Sequence, residues 1–209
     1  GQELYFHVKY NKPFKRYGIV IDEKLQAGLK KASGKNIKMY IQFATTEQEQ
    51  ILSQVAISAV DDDGALKNLN SEKSGFDFSL TLANAQAQWN RELSKIDVQD
   101  GAKGQLTTFY TALYHSLLNP NLYMDVDKRY RGLDNKIHVA KDFDYYSVFS
   151  LWDTYRTEHP LLTLLDRKKT LDFVKTFLAM HEQAGQLPVW PLGNEETFCM
   201  IGNHSIPVI

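Results

Sequence analysis

The chain has 209 residues, 24 basic and 25 acidic side chains for a formal net charge of −1, and one cysteine, Cys199. A near-neutral balance with scattered lysines excludes the basic face of a nucleic-acid binder and a membrane-binding patch. A single cysteine excludes an intrachain disulfide, so packing must hold the fold, and without a run of 18 apolar residues there is no membrane-spanning helix. No secretory leader is visible at the start. Aromatic residues make up 12% of the chain, a share that suits a packed core and equally a sugar-binding cleft.

The first third alternates. Leu4, Phe6, Val8 and Tyr10 interleave with Tyr5, His7 and Lys9, and Phe14–Ile21 follows a turn at Asn11-Lys12-Pro13. Ile37, Met39, Ile41 and Phe43 repeat the pattern, as do Val55, Ile57 and Ala59. A period of two puts one face on a core and one in water, which predicts antiparallel strands. Asp61-Asp62-Asp63-Gly64 reads as a turn or a helix start. About four strands over residues 1–80 are too few to close a sandwich comfortably.

From Thr81 the period becomes helical. Leu82, Ala85, Trp89, Leu93 and Ile96 form one stripe. A second helix carries Leu106, Phe109, Leu113 and Leu117 and ends before Asn119-Pro120. Residues 119–147 show no period and read as a long, lid-like loop. A third helix begins near Ser150 and is punctuated by Pro160. A fourth, about Lys168 to Gln183, offers Leu171, Val174, Leu178 and His181 as its stripe and ends at Gly185. Strands first and helices after predict an α+β chain or two domains.

Three constellations could carry chemistry. In Ser150–Arg156, Asp153 can accept hydrogen bonds from two sugar hydroxyls while the Trp152 indole covers the apolar ring face. The same residues also suit a helix start, with Ser150 as cap and Asp153–Arg156 as an ion pair. Asp125 and Asp127, two residues apart, are too few oxygens for a hard cation, and otherwise read as a charged surface loop. The stretch Leu187–Ile209 places Glu195 and Glu196 beside Trp190, Phe198 and Met200. A glycosidase needs a protonated carboxyl and a second carboxylate, and an apolar wall favours the protonated form. Two surface acids are the plainer account. Cys199 and His204 match no nucleophile spacing, and a lone cysteine is more often buried and inert. Nucleotide loops and zinc motifs are absent from the sequence.

Four ordered blocks resemble glycoside hydrolase family 92: F-Y-T-A-L-Y-H-S-L-L at Phe109–Leu118, D-V-D-K-R-Y-R-G at Asp125–Gly132, F-S-L-W-D-T-Y-R at Phe149–Arg156, and L-P-V-W through E-T-F-C-M-I-G-N-H-S-I-P-V-I at the C-terminal end. The resemblance is specific over residues 105–209 and looser before, through Tyr10–Ile19 and the Trp89 helix. It implies a calcium-dependent, inverting exo-α-mannosidase acting on mannose-containing glycans, with α-1,2 linkage as the expectation and bacterial export to the periplasm or cell surface. It also implies an architecture: the end of an antiparallel β-sandwich over 1–80, a helical linker over 81–104, and the first part of an (α/α)6 barrel over 105–209. By the same resemblance Glu196 is the general acid, Trp152 and Asp153 hold the terminal mannose, and His204 lines the pocket. Glu195 stands where the family usually has Asn. By the same resemblance the catalytic base and much of the Ca2+ shell lie in later blocks, and the Ca2+ ligands are not assignable in this sequence, so the chain alone is expected to be inactive. A partial barrel exposes apolar helix faces, which predicts self-association. A non-catalytic carbohydrate-binding or structural fragment of the same family is the alternative.

Overall fold

The computed structural model describes residues 2–71, 75–99 and 102–209. The alternating segments are strands. β1 (Tyr5–Tyr10) pairs with β5 (Ser53–Ser58), and β2 (Arg16–Ile21), β3 (Lys24–Gln26) and β4 (Ile37–Gln42) form a three-stranded sheet in the order β3-β2-β4. Both pairings of β2 are antiparallel. Asp22 and Glu23, at φ 47° and 62°, join β2 to β3, and two consecutive positive φ values are what a tight type I′ hairpin demands. By compactness the chain divides into Val8–Val55, which contains this sheet, and Gly1–His7 with Ala56–Ile209.

Helical structure begins earlier than the expected switch near residue 80. α1 (Asp62–Ser71) starts at the acidic run, where Asp61 Oδ1 accepts the Gly64 N–H at 2.6 Å. This supplies a partner for a helix-start donor. α2 (Phe78–Leu93) is capped by Asp77, which accepts the Leu80 N–H. None of its residues is buried. Its expected stripe is largely exposed, with Leu82 at 48%, and Ile96 lies past its end. Trp89 packs against Tyr114 of α3 (Lys103–Ser116), with ring centroids 4.6 Å apart.

Residues 119–147 are not a lid. They form β6 (Asn121–Leu122), β7 (Arg129–Arg131), β8 (Ile137–Val139) and β9 (Tyr146–Ser147), in the antiparallel pairs β6–β9 and β7–β8. Their side chains build the core, where Tyr130, Ala140 and Tyr145 are buried together with Phe149, Leu151, Leu162, Phe173, Phe177 and Met180. Tyr130 stacks on Tyr145 at 3.7 Å, and Phe149 meets Phe177 edge-on at 4.7 Å. Strands of two or three residues are too short to show a period, which hides them from a pattern reading.

The third predicted helix is two: α4 (Leu151–Thr154) and α5 (Glu158–Leu165). Pro160 sits in the first turn of α5, where its missing N–H has no intrahelical partner to lose. α6 (Arg167–Ala184) is capped by Asp166 and closed by Gly185 at φ 78°, the left-handed position glycine occupies without strain. Its core face is Phe173, Thr176, Phe177 and Met180, not the predicted Leu171–His181 stripe. Leu171 and Leu178 are 53% and 45% exposed. The helix carries two apolar faces, and the aromatic layer from residues 130–149 selects the one bearing phenylalanines.

Asp125 is likewise not a surface acid. It is buried and accepts hydrogen bonds from Ser58 Oγ and Asn68 Nδ2, each at 2.8 Å. A Cβ on Gly64 would fall 2.1 Å from Asp125 Oδ2, so α1 reaches this carboxylate only because that position has no side chain. Arg129 bridges Asp61 (2.7 Å) and Asp127 (2.9 Å), and its guanidinium holds the Asp61 carboxyl below the usual carboxylate range. Among the described residues no helix is long and apolar enough to cross a membrane.

Candidate active site

The C-terminal stretch folds as a small hairpin, β10 (Pro191–Leu192) antiparallel to β11 (Glu195–Glu196), with Gly193 at φ 63° in the turn. Glu195 and Glu196 therefore lie on a strand. In strand geometry neighbouring side chains leave on opposite faces, and the two adjacent acids diverge. The Glu196 side chain folds back beneath its own hairpin. Its Oε2 accepts the Val189 N–H at 2.8 Å, and its Oε1 accepts those of Trp190 (2.9 Å) and Phe198 (3.0 Å). Both oxygens act as acceptors. To donate a proton outward, the carboxyl would exchange one of these contacts for an O–H directed away from the hairpin.

Three rungs join this hairpin to the segment that leads into α4. Ser147 Oγ donates to the Gly193 carbonyl at 3.2 Å, the Phe149 N–H donates to the Pro191 carbonyl at 3.3 Å, and Trp190 Nε1 donates to Ser150 Oγ at 2.8 Å. The Ser150 hydroxyl in turn donates to Asp153 Oδ2. Ser150 is the N-cap residue of α4, but its hydroxyl makes no bond to the helix backbone. The expected Asp153–Arg156 ion pair does not form. The Arg156 guanidinium instead lies over the rings of Tyr155 (4.7 Å) and Trp152 (5.5 Å), a cation–π arrangement. His204 reaches α4 by stacking on Tyr155, with centroids 4.3 Å apart and planes 11° from parallel.

The fold thus ties all four predicted site residues to one short helix. Trp152 and Asp153 lie on α4, Glu196 is linked to it through Trp190 and Ser150, and His204 through Tyr155. Asp153 Oδ1 makes no hydrogen bond among the described residues, and the residue is exposed. Trp152 is 38% exposed, enough to offer part of a ring face to a ligand. Ser150 and Tyr155 belong to the same block as Trp152 and Asp153, but the roles they take depend on Trp190 and His204, partners distant in sequence. Two non-glycine residues with positive φ flank the site, Val148 at 66° and Phe198 at 50°. A β-branched residue held in that region is strained, and such strain gathers at functional sites.

Glu158 and His159 follow on the first turn of α5. Burial pushes the Glu158 carboxyl up to about 7 and the His159 imidazole down to about 4. His159 is almost fully enclosed, beside Phe149, Phe173 and Phe177, and neither ring nitrogen has a hydrogen-bond partner. Cys199, expected to be buried, is exposed.

These residues do not fit a calcium site. Among the described residues no three His, Cys, Asp or Glu side chains converge as metal ligands would. Asp125 is already bonded to Ser58 and Asn68, and Asp127 to Lys67 and Arg129.

The family model described as the glycosyl hydrolase family 92 catalytic domain matches residues 64–209, and that described as the family's N-terminal domain matches residues 1–58. Among solved structures, the family GH92 α-mannosidase BT3965 from Bacteroides thetaiotaomicron is 34% identical with a TM-score of 0.87, over 98% of this chain and 29% of that one. The same enzyme in complex with mannoimidazole matches with 34% identity and a TM-score of 0.87, over 98% and 28%. The family GH92 inverting mannosidase BT2199 from Bacteroides thetaiotaomicron VPI-5482 is 27% identical with a TM-score of 0.89, over 98% and 28%. No curated protein matches the chain. The chain spans under a third of the length of the solved structures it resembles. With both family models matching in order and the catalytic-domain model spanning most of its length, the chain belongs to glycosyl hydrolase family 92.

Proposed function

We propose that this chain is part of an inverting exo-α-mannosidase that removes terminal mannose from glycans, with α-1,2 linkages as the first to test. The observation that carries the reading is the convergence of Glu196, Asp153, Trp152 and His204 on α4, within the span matched by the family's catalytic-domain model. Asp153 Oδ1 accepts from a sugar hydroxyl, the Trp152 indole packs on the ring, and His204 lines the same pocket. Glu196 delivers the proton to the glycosidic oxygen after turning one oxygen out of its hairpin. An inverting reaction also needs a second carboxylate about 6.5–9.5 Å away to activate water, and we assign that role to no residue of this chain. The architecture we propose remains a sandwich portion over 1–80, a linker over 81–104 and the start of an (α/α)6 barrel over 105–209. Export to the periplasm or cell surface and calcium dependence belong to the same reading. EDTA that leaves mannose release by the full-length enzyme unchanged would remove the calcium part.

The triple anchorage of Glu196 favours a second reading, in which the segment binds mannose and Glu196 is structural. The decisive experiment pairs calorimetric titration with mannoimidazole and assay of mannose release from an α-1,2-linked mannobiose. The chain is expected to bind and not to turn over. Absence of binding would sink the sugar-site assignment. Turnover abolished by Glu196→Gln would show that a base is present after all. Binding lost on Trp152→Ala but kept on Glu196→Gln favours the second reading. Self-association is read by size-exclusion chromatography, where a clean 24 kDa monomer would count against it.

A further inference from the structure

Ser150 occupies a position whose hydrogen bonding has one solution. The Trp190 indole N–H can only donate, and an ionised carboxylate can only accept. The Ser150 hydroxyl lies 2.8 Å from the first and is bonded to Oδ2 of Asp153. It must therefore accept from Trp190 and donate to Asp153, which orients the hydroxyl proton without ambiguity. A carboxylate that accepts a hydroxyl's hydrogen bond on one oxygen keeps its plane and its second oxygen in a defined direction. The Trp190 backbone N–H meanwhile donates to Glu196 at 2.9 Å. One residue, Trp190, thus holds Glu196 with its main chain and reaches Asp153 through Ser150 with its side chain.

We infer that Ser150 is a positioning residue, whose hydroxyl holds the exposed carboxylate of Asp153 in register with the hairpin that carries Glu196. It touches no substrate. Its effect is to set where Asp153 Oδ1 points relative to the hairpin, and so how well a vicinal pair of sugar hydroxyls is received. The inference rests on the mannose-site reading for its consequence, but the relay itself does not. A simple helix cap would bond to the α4 backbone, and the Ser150 hydroxyl makes no such bond. The rungs at Ser147–Gly193 and Phe149–Pro191 hold the two segments together independently, so removing one hydroxyl should leave the segments joined.

The test uses two readouts on the chain. The first is the set of three indole N–H resonances, from Trp89, Trp152 and Trp190, in 15N-labelled protein. Asp153→Asn should shift the Trp190 resonance, two hydrogen bonds away, and leave that of Trp89 in place. Ser150→Ala should shift the Trp190 resonance and abolish its response to Asp153→Asn, whereas Ser150→Thr, which keeps the hydroxyl, should restore that response. The second readout is mannoimidazole affinity. Ser150→Ala should weaken it about tenfold, the scale of a hydrogen bond to a charged group at a partly exposed site. Ser150→Thr should come within about threefold of the original. A Trp190 resonance indifferent to Asp153→Asn would overturn the relay. Affinity unchanged by Ser150→Ala would overturn the positioning role. If the unmodified chain does not bind mannoimidazole, the mannose reading fails, and the resonances still decide the relay. Should Ser150→Ala fail to fold, Ser150→Cys, whose thiol is a weak donor and weak acceptor, should shift the Trp190 resonance and weaken mannoimidazole binding in the same direction, and an affinity unchanged by it would overturn the positioning role.

Discussion

Glu158 and His159 are neighbours whose titrations oppose one another, and this makes a pH experiment informative. For His159 the folded value of about 4 lies below the ordinary 6.5, because the charged ring would be enclosed among phenylalanines with no acceptor for either nitrogen. The fold holds it neutral. Its contribution is therefore intact above pH 6.5 and is lost as pH falls toward 4. For Glu158 the folded value of about 7 lies above the ordinary 4.5. The fold holds it protonated, so this group costs stability above pH 7 and ceases to as pH falls toward 4.5. At 1.36 kcal/mol per unit, each term moves stability by about 2 kcal/mol between pH 7.5 and 5, in opposite directions. The Glu158 term is the smaller after allowance for its partial exposure, at about 1 kcal/mol. Urea unfolding across that range measures the sum. Glu158→Gln removes the compensating gain, and stability should then fall more steeply toward pH 5, by about 1 kcal/mol. His159→Leu removes the loss, and the curve should flatten or rise on acidification. Stability curves of both variants running parallel to the original would refute the argument, because neither group would then titrate differently in the folded and unfolded chain.

Gly64→Ala should cost about 2 kcal/mol or more, since its Cβ would meet Asp125 Oδ2 at 2.1 Å. In an Asp125→Ala background the same change should cost at least about 1 kcal/mol less, a coupling that a double-mutant cycle by thermal unfolding would read. Phe177→Ala should destabilise by about 3–5 kcal/mol, while Leu171→Ala, on the exposed face of α6, should cost under about 1 kcal/mol. Equal losses would mean that the core face has been misplaced. Glu196→Gln replaces one acceptor oxygen with an N–H donor facing backbone donors, and should lower the melting temperature by about 2–6 °C, for about 1–2 kcal/mol. An unchanged melting temperature would show that the hairpin does not rest on this carboxylate.

The strands β1, β2, β4 and β5 and the long helices α2, α3 and α6 were legible as periods, because each is long enough for its apolar residues to recur; β3, three residues long, was not. The four blocks that resemble family 92 were legible as residue order, and they named Glu196, Trp152, Asp153 and His204. The short strands β6–β9 were not, because two or three residues carry no period. Nor was the buried face of α6. Leu171, Val174 and Leu178 recur at helical spacing as well as Phe173, Phe177 and Met180 do, and local pattern cannot rank two apolar faces.

What the sequence by itself determined was local: which segments alternate, where Gly185 ends a helix, and which residue types gather near Trp190. Only the tertiary structure decided which groups meet. Asp125 is buried because Ser58 and Asn68, more than fifty residues away, supply its hydrogen bonds. Asp153 is held by Ser150 rather than paired with Arg156 because Trp190, forty residues on, supplies the donor that orients the hydroxyl. A hydrogen bond is set by distance and direction in space, and neither is written in the spacing along the chain until the intervening residues have packed.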